Sequence, residues 1–223
     1  HEDFRNSPGI NNDARDATTM EASLRLGYEF APGTTFFVEP NGDFRVFDQK
    51  RDSAGNLQDN WGAGSLFGMT FDVTGVTFLE FGVGFEFRQF DDPLFDEQFN
   101  IDFSVKHIWN VTDIVSITTD AGRTFEDSAT PGVSGFTSYN LNTAVDYEFL
   151  DNVIITGGLG LSFSENEQTS REDTDVNYTV RVRYLVNENW TAQLDLGYQT
   201  RSSTAVNENY DNYSASFGLV LKF

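Results

Sequence analysis

Two histidines, His1 and His107, supply all the imidazole chemistry, and the chain contains no cysteine. Without thiols there can be no disulfide framework, thiolate metal site or cysteine nucleophile. His107 falls in the apolar phase of an alternating segment beside Trp109, with no serine or carboxylate spaced to make it a general base. The residues therefore point away from an enzyme and call for no cofactor. Carboxylates are the richer resource. Asp91, Asp92, Asp96 and Glu97 crowd one short segment and are the candidate ligands for a divalent cation, which prefers hard oxygen donors. Asp173-Thr174-Asp175-Val176-Asn177 begins like a calcium loop, but Tyr178 stands where glycine is required and Tyr184 where the bidentate glutamate belongs, so that motif fails. Gly157-Gly158-Leu159-Gly160 lies inside a strand-like run and opens no helix. It is no phosphate loop, and its glycines permit curvature or close packing.

The other charged residues sit in runs where every second side chain is apolar. Arg25, Arg45, Arg88, Arg181 and Arg183 share this setting with Glu80, Glu86, Asp102, Asp146, Glu148 and Asp195. Successive side chains of a strand point to opposite faces, so these residues are expected on one polar face with an apolar face behind it. Over 79–88, for example, Leu79, Phe81, Val83, Phe85 and Phe87 oppose Glu80, Gly82, Gly84, Glu86 and Arg88. Over 213–223, Tyr213, Ala215, Phe217, Leu219, Leu221 and Phe223 oppose Ser214, Ser216, Gly218, Val220 and Lys222. The first full run covers 20–30. Eleven runs of this kind can be counted, and none has helical period.

Composition limits what such an all-β chain can be. Its 223 residues carry a net charge of −21, and 39% are hydrophobic and 15% aromatic. That acidity argues against nucleic acid as a partner, because counterion release needs clustered Lys and Arg. The 22 Phe, 8 Tyr and 3 Trp argue against disorder. No apolar run approaches the length of a transmembrane helix.

The connections alternate in length. Short ones (31–33, 73–75, 110–112, 150–152 and 187–189) are separated by long polar ones at 48–60, 91–97, 126–135, 165–175 and 201–211. With residues 1–17, the long segments hold −14 of the net charge of −21. A single up-and-down meander over 1–223, with one tight rim and one elaborated rim, is the expected organisation. A soluble sandwich would alternate equally well. Two features favour a membrane barrel: apolar faces of ten or more residues, near the length a tilted strand needs to cross a bilayer, and aromatic residues at both ends of the runs. Phe30, Trp109, Phe149, Trp190 and Phe223 mark the short-turn end, and Trp61, Phe90, Phe125 and Tyr139 the other.

The segment Phe217-Gly218-Leu219-Val220-Leu221-Lys222-Phe223 resembles the terminal strand of Gram-negative outer-membrane β-barrel proteins, and in texture the whole chain resembles their acidic β-barrel porins. The resemblance implies that Phe217, Leu219, Leu221 and Phe223 form the signal read by the barrel assembly machinery. It implies a location in the outer membrane, among lipid and lipopolysaccharide, whose phosphates the acidic loops could bridge through a cation. Some such porins are linked to polysaccharide export, which implies a periplasmic export partner. Eleven is an odd count, whereas bacterial single-chain barrels have an even one. Either residues 1–5 pair as a twelfth strand or at least one strand precedes His1 in a larger barrel. The functional expectation is a polar, acidic-biased pore for small solutes or a polysaccharide. Its rival is a structural or binding barrel whose lumen is plugged by ion pairs and which works through its acidic loops. Arg123, in the apolar phase near the upper rim, is expected to reach headgroups or to mark a bulge.

Overall fold

A computed structural model describes residues 16–52, 55–127, 133–167 and 169–221. Among them every regular element is a strand: β1 (Ala17–Ser23), β2 (Leu26–Ala31), β3 (Thr34–Phe47), β4 (Asn60–Asp72), β5 (Thr77–Phe90), β6 (Gln98–Thr112), β7 (Val115–Asp127), β8 (Gly135–Leu150), β9 (Val153–Asn166), β10 (Glu172–Leu185), β11 (Trp190–Ser203) and β12 (Tyr210–Leu221). All twelve belong to one antiparallel sheet, paired in chain order as a meander. β1 and β2 both pair with β3 at one edge and β12 forms the other; among the described residues no pairing joins the two edges. The proposed strand at residues 1–5 and the terminal Phe223 lie outside the described residues.

The first run is broken where a single strand was expected over 20–30. Ser23 pairs with Asn41 and Leu26 with Val38, so the register continues across the break. Between them the Leu24 N–H donates to the Pro40 carbonyl at 3.1 Å. Pro40 has no N–H with which to return the bond, and the ladder lapses there. Eleven spans thus yield twelve strands.

From β3 to β12 the strands are 12 to 16 residues long, longer than a tilted membrane crossing requires. They extend into segments expected to be loops, since β9 runs to Asn166 and β10 starts at Glu172. The short rim is closed by tight turns. Gly33 follows Pro32 with φ 72°, the left-handed position of a type II turn that glycine occupies without strain.

The apolar face is open rather than buried: Met20 is 70% exposed, Val83 54% and Phe99 66%. A soluble sandwich would bury such a surface in its core, and a soluble monomer would rarely expose it. Rings form ladders across this face. Phe85 stacks on its diagonal neighbours Phe67 at 6.4 Å and Phe99 at 6.0 Å, and Tyr198 meets its direct cross-strand partners Tyr178 at 6.2 Å and Tyr213 at 4.8 Å. Two residues assigned to the upper aromatic belt do not stand in it. Phe90 shares the phase of Arg88 and meets Phe95 edge-on at 5.7 Å, while Phe125 is buried. Trp61, packed on Phe87 at 5.7 Å, and Tyr139 remain on the outer face there.

Candidate functional site

Directly paired residues of an antiparallel sheet share a face, so the register sorts every charged side chain. Arg25, Arg45, Arg88, Arg181, Arg183, Glu80, Glu86, Asp102, Asp146, Glu148 and Asp195 all fall on the face opposite the exposed phenylalanines. They form a sequence of small clusters on that face.

The most enclosed cluster surrounds Arg88, which is 7% exposed. Its guanidinium holds both oxygens of Asp43 at 3.0 Å, Glu86 at 2.8–2.9 Å and the Asn60 carbonyl at 2.7 Å. Burial makes such a charge expensive unless its donors are used, and here they are. Asp43 on β3 and Arg88 on β5 can meet only because the intervening β4 residue is Gly62. A Cβ there would come within 2.6 Å of the Asp43 oxygen and 2.9 Å of the Arg88 nitrogen.

Nearer the middle of the face, Arg25 reaches Glu39 at 2.6 Å and Glu80 at 3.1 Å, with its guanidinium 4.0 Å above the ring of Phe37. Phe37 is an apolar residue on the polar face, 1% exposed because it lies over Gly68, whose Cβ would come within 2.4 Å of the ring. Toward the short-turn rim Arg181 meets Asp195, and Arg183 lies 3.8 Å from Asp146. Asp146 also accepts from the Thr156 hydroxyl. Glu148 lies lower still, opposite Ile154.

The long-connection rim carries a further set, of which the sequence showed only Asp173 and Asp175, as the start of a calcium loop that fails. Arg201 grips Asp175 through two bonds of 2.8 Å, and Arg171 bridges Asp173 at 2.8 Å and Glu208 at 3.4 Å. The Asp173 hydrogen bond holds the Arg171 guanidinium above its ordinary pKa. These contacts tie the β9–β10 connection to the β11–β12 connection. Direct cross-strand pairing of Asp175 with Arg201 was the signal available, but it needs a register to be visible.

Arg123 pairs with Phe103 and Tyr139, so it stands in the outer phase as expected, and no register shift lies at it. The β6–β7 ladder begins at Phe103–Arg123, leaving residues 98–102 and 124–127 without mutual pairs. Arg123 fills the parting. It donates to the Ile101 carbonyl at 2.5 Å, to the Thr137 hydroxyl at 3.3 Å and to the Tyr139 hydroxyl at 3.4 Å, and lies 3.6 Å from Asp102.

The four proposed cation ligands do not converge. Asp92 is buried with its carboxylate taken by the Leu57 N–H at 2.6 Å and the Leu94 N–H at 2.9 Å, so it latches the β3–β4 connection to the β5–β6 connection. Asp91, Asp96 and Glu97 join no metal-holding group, and none is formed among the described residues. Of the residues expected to form an assembly signal, Phe217, Leu219 and Leu221 line the outer face of β12, opposite Leu194, Ala192 and Trp190.

A family model described as "Putative beta-barrel porin 2" matches residues 2–223. No curated protein sequence matches the chain. Solved structures share its fold at low identity. The FrpB iron transporter from Neisseria meningitidis (F3-3 variant) aligns with 12% identity and a TM-score of 0.63, over 90% of this chain and 40% of that one. The outer membrane channel DcaP of Acinetobacter baumannii aligns with 15% identity and a TM-score of 0.63, over 88% and 60%. The siderophore receptor PirA from Pseudomonas aeruginosa aligns with 13% identity and a TM-score of 0.57, over 94% and 40%. The chain thus shares the β-barrel fold of these proteins and spans about 40 to 60% of their length.

Proposed function

This chain belongs to the family described as "Putative beta-barrel porin 2", and from that membership we propose that its polar face lines a water-filled passage through the outer membrane of a Gram-negative bacterium. The observation that carries the reading is the two-sidedness of the sheet. One face exposes rings and aliphatic side chains along strands long enough to cross a bilayer. The other sets charged side chains from the Arg88 cluster near one rim to Arg183 and Glu148 near the other. Lipid suits the first face and water the second. The residues proposed to line the pore are the eleven charged ones named from the sequence, with Arg201 and Asp175 added. Porin membership favours a channel over an enzyme.

The cargo proposed is small polar solute, with cations favoured, since Glu21, Asp120 and Glu148 face the passage without an ion-pair partner among the described residues. A polysaccharide chain passed on by a periplasmic partner is the alternative cargo. Insertion by the barrel assembly machinery through the Phe217–Phe223 segment and contact with lipopolysaccharide complete the proposal. Liposome swelling tests the passage. Vesicles carrying the protein should swell in isotonic arabinose faster than bare vesicles, and equal rates would contradict the reading.

A further inference from the structure

The charged clusters described above are internally paired, with Arg25, Arg88, Arg181, Arg183 and Arg201 each within 4.0 Å of a carboxylate. One patch of the same face is built differently. Across β7 to β10, two neighbouring cross-strand rows read Asp120–Asn142–Gly160–Asn177 and Thr118–Ala144–Gly158–Thr179. Three of these eight positions, Ala144, Gly158 and Gly160, have little or no side chain, and they sink a hollow of about 210 Å³ into the wall. Thr118, Asp120, Asn142, Asn177 and Thr179 around it have no hydrogen-bond or ion-pair partner among the described residues, while Thr143, also at its wall, meets the Thr119 hydroxyl at 3.3 Å. Asn142 and Thr179 lean over the glycines. A Cβ at Gly160 would come within 2.9 Å of the Asn142 carbonyl oxygen, and one at Gly158 within 2.4 Å of the Thr179 hydroxyl.

We propose that this hollow between Asn142, Asn177 and Asp120 binds a neutral, polyhydroxylated solute through one sugar-sized ring. The inference rests on the channel reading above. The chemistry follows from the donors and acceptors present. A primary amide offers two N–H donors and a carbonyl acceptor, a carboxylate accepts twice, and a threonine hydroxyl does both. Adjacent hydroxyls of a sugar need that mixture, because each gives one hydrogen bond and accepts others. A small ion is a poorer match, since no three metal-ligating side chains converge among the described residues and the hollow's wall holds a single carboxylate. The hollow is smaller than the roughly 300–1,000 Å³ of drug-sized sites, which suits one ring of a longer or freely diffusing solute. The glycine floor lets the C–H face of that ring approach backbone, a close approach that side chains would block.

The test uses maltotriose and the whole protein, purified in detergent and also reconstituted in planar bilayers. Calorimetry in detergent should detect maltotriose binding, and the double variant Asn142→Ala/Asn177→Ala should weaken it by about tenfold, the loss expected of two or three neutral hydrogen bonds. Gly158→Val, which fills the hollow, should weaken binding while leaving Asn142 and Asn177 in place. A control, Ser214→Ala, lies on the same face outside the hollow and should leave binding unchanged. In bilayers maltotriose should interrupt the ion current of the wild type and not that of the double variant. Absence of maltotriose binding in calorimetry overturns the inference, as does equal binding by wild type and both variants. If ion current flows without maltotriose binding, the channel stands and this inference falls. If binding is found but no current flows, the hollow stands as a binding site and the channel reading falls.

Discussion

Arg88 and Asp43 share two hydrogen bonds of 3.0 Å across Gly62, joining β5 to β3 over the strand between them. The bridge fixes the polar face just below the long connections, where Asn60 and Glu86 complete the guanidinium's partners. Four of the five buried apolar residues among those described, Ala17, Phe47, Phe125 and Val133, lie at that same rim. The sheet is therefore consolidated at one end by packing and ion pairs, and along its height by backbone ladders.

Gly62→Val should break the bridge by placing a side chain between its partners. Leaving a mostly buried guanidinium short of an acceptor destabilises a fold by roughly 3 kcal/mol. Urea unfolding in lipid vesicles, followed by fluorescence of the adjacent Trp61, should show a lower midpoint for Gly62→Val than for Gly75→Val. Gly75 has open space around its Cβ position but φ 73°, so its change measures turn strain alone.

The two faces should respond oppositely to charge. Val83→Arg, on the apolar face between Phe67 and Phe103, should destabilise the protein in bilayers by about 2–4 kcal/mol, the range for an arginine at the midplane of a barrel's lipid face. Ser104→Arg, one residue from Phe103 and on the other face, should lower stability by well under half as much. Equal losses would mean that both faces meet the same medium.

Arg123 should act as a staple. Arg123→Leu removes the donors that hold Ile101 and Thr137, so hydrogen exchange should quicken at residues 98–102 and 124–127, where the β6–β7 ladder is open. Exchange near His107 and Thr119, inside the ladder, should not change. A uniform change along both strands would show that Arg123 contributes only general stability.

Pro40→Ala restores an N–H opposite Leu24 and should join β1 to β2. One added backbone hydrogen bond near the sheet edge should raise stability by about 0.5–1 kcal/mol and slow exchange at the new amide. A destabilising outcome would mean that the break is needed for Arg25 to reach Glu80.

Much of this architecture was legible in the sequence because period-2 alternation is a direct consequence of strand geometry. The runs through Leu79–Arg88 and Tyr213–Leu221 declared both faces without any knowledge of pairing. Four things were not legible. The lapse at Leu24 depends on Pro40, sixteen positions away in sequence and adjacent only through register. Phe90 and Phe125 were placed in an outer belt by their position near run ends, but phase and local packing moved them off it. Arg123 looked like an error of phase because its partners, Ile101 and Asp102, become neighbours only where β6 and β7 part. The glycines at 158 and 160 were read as permitting curvature or close packing, and the polar ring from β7, β8 and β10 around them exists only once those strands are in register.

The central claim is that the charged face borders water continuous across a membrane, and ion current through the reconstituted protein tests it most directly. The account predicts discrete current steps in a planar bilayer under a KCl gradient, with a reversal potential of the sign that marks cations as the favoured carriers. Protein that inserts with intact β-structure yet passes no current above the bare bilayer would contradict it.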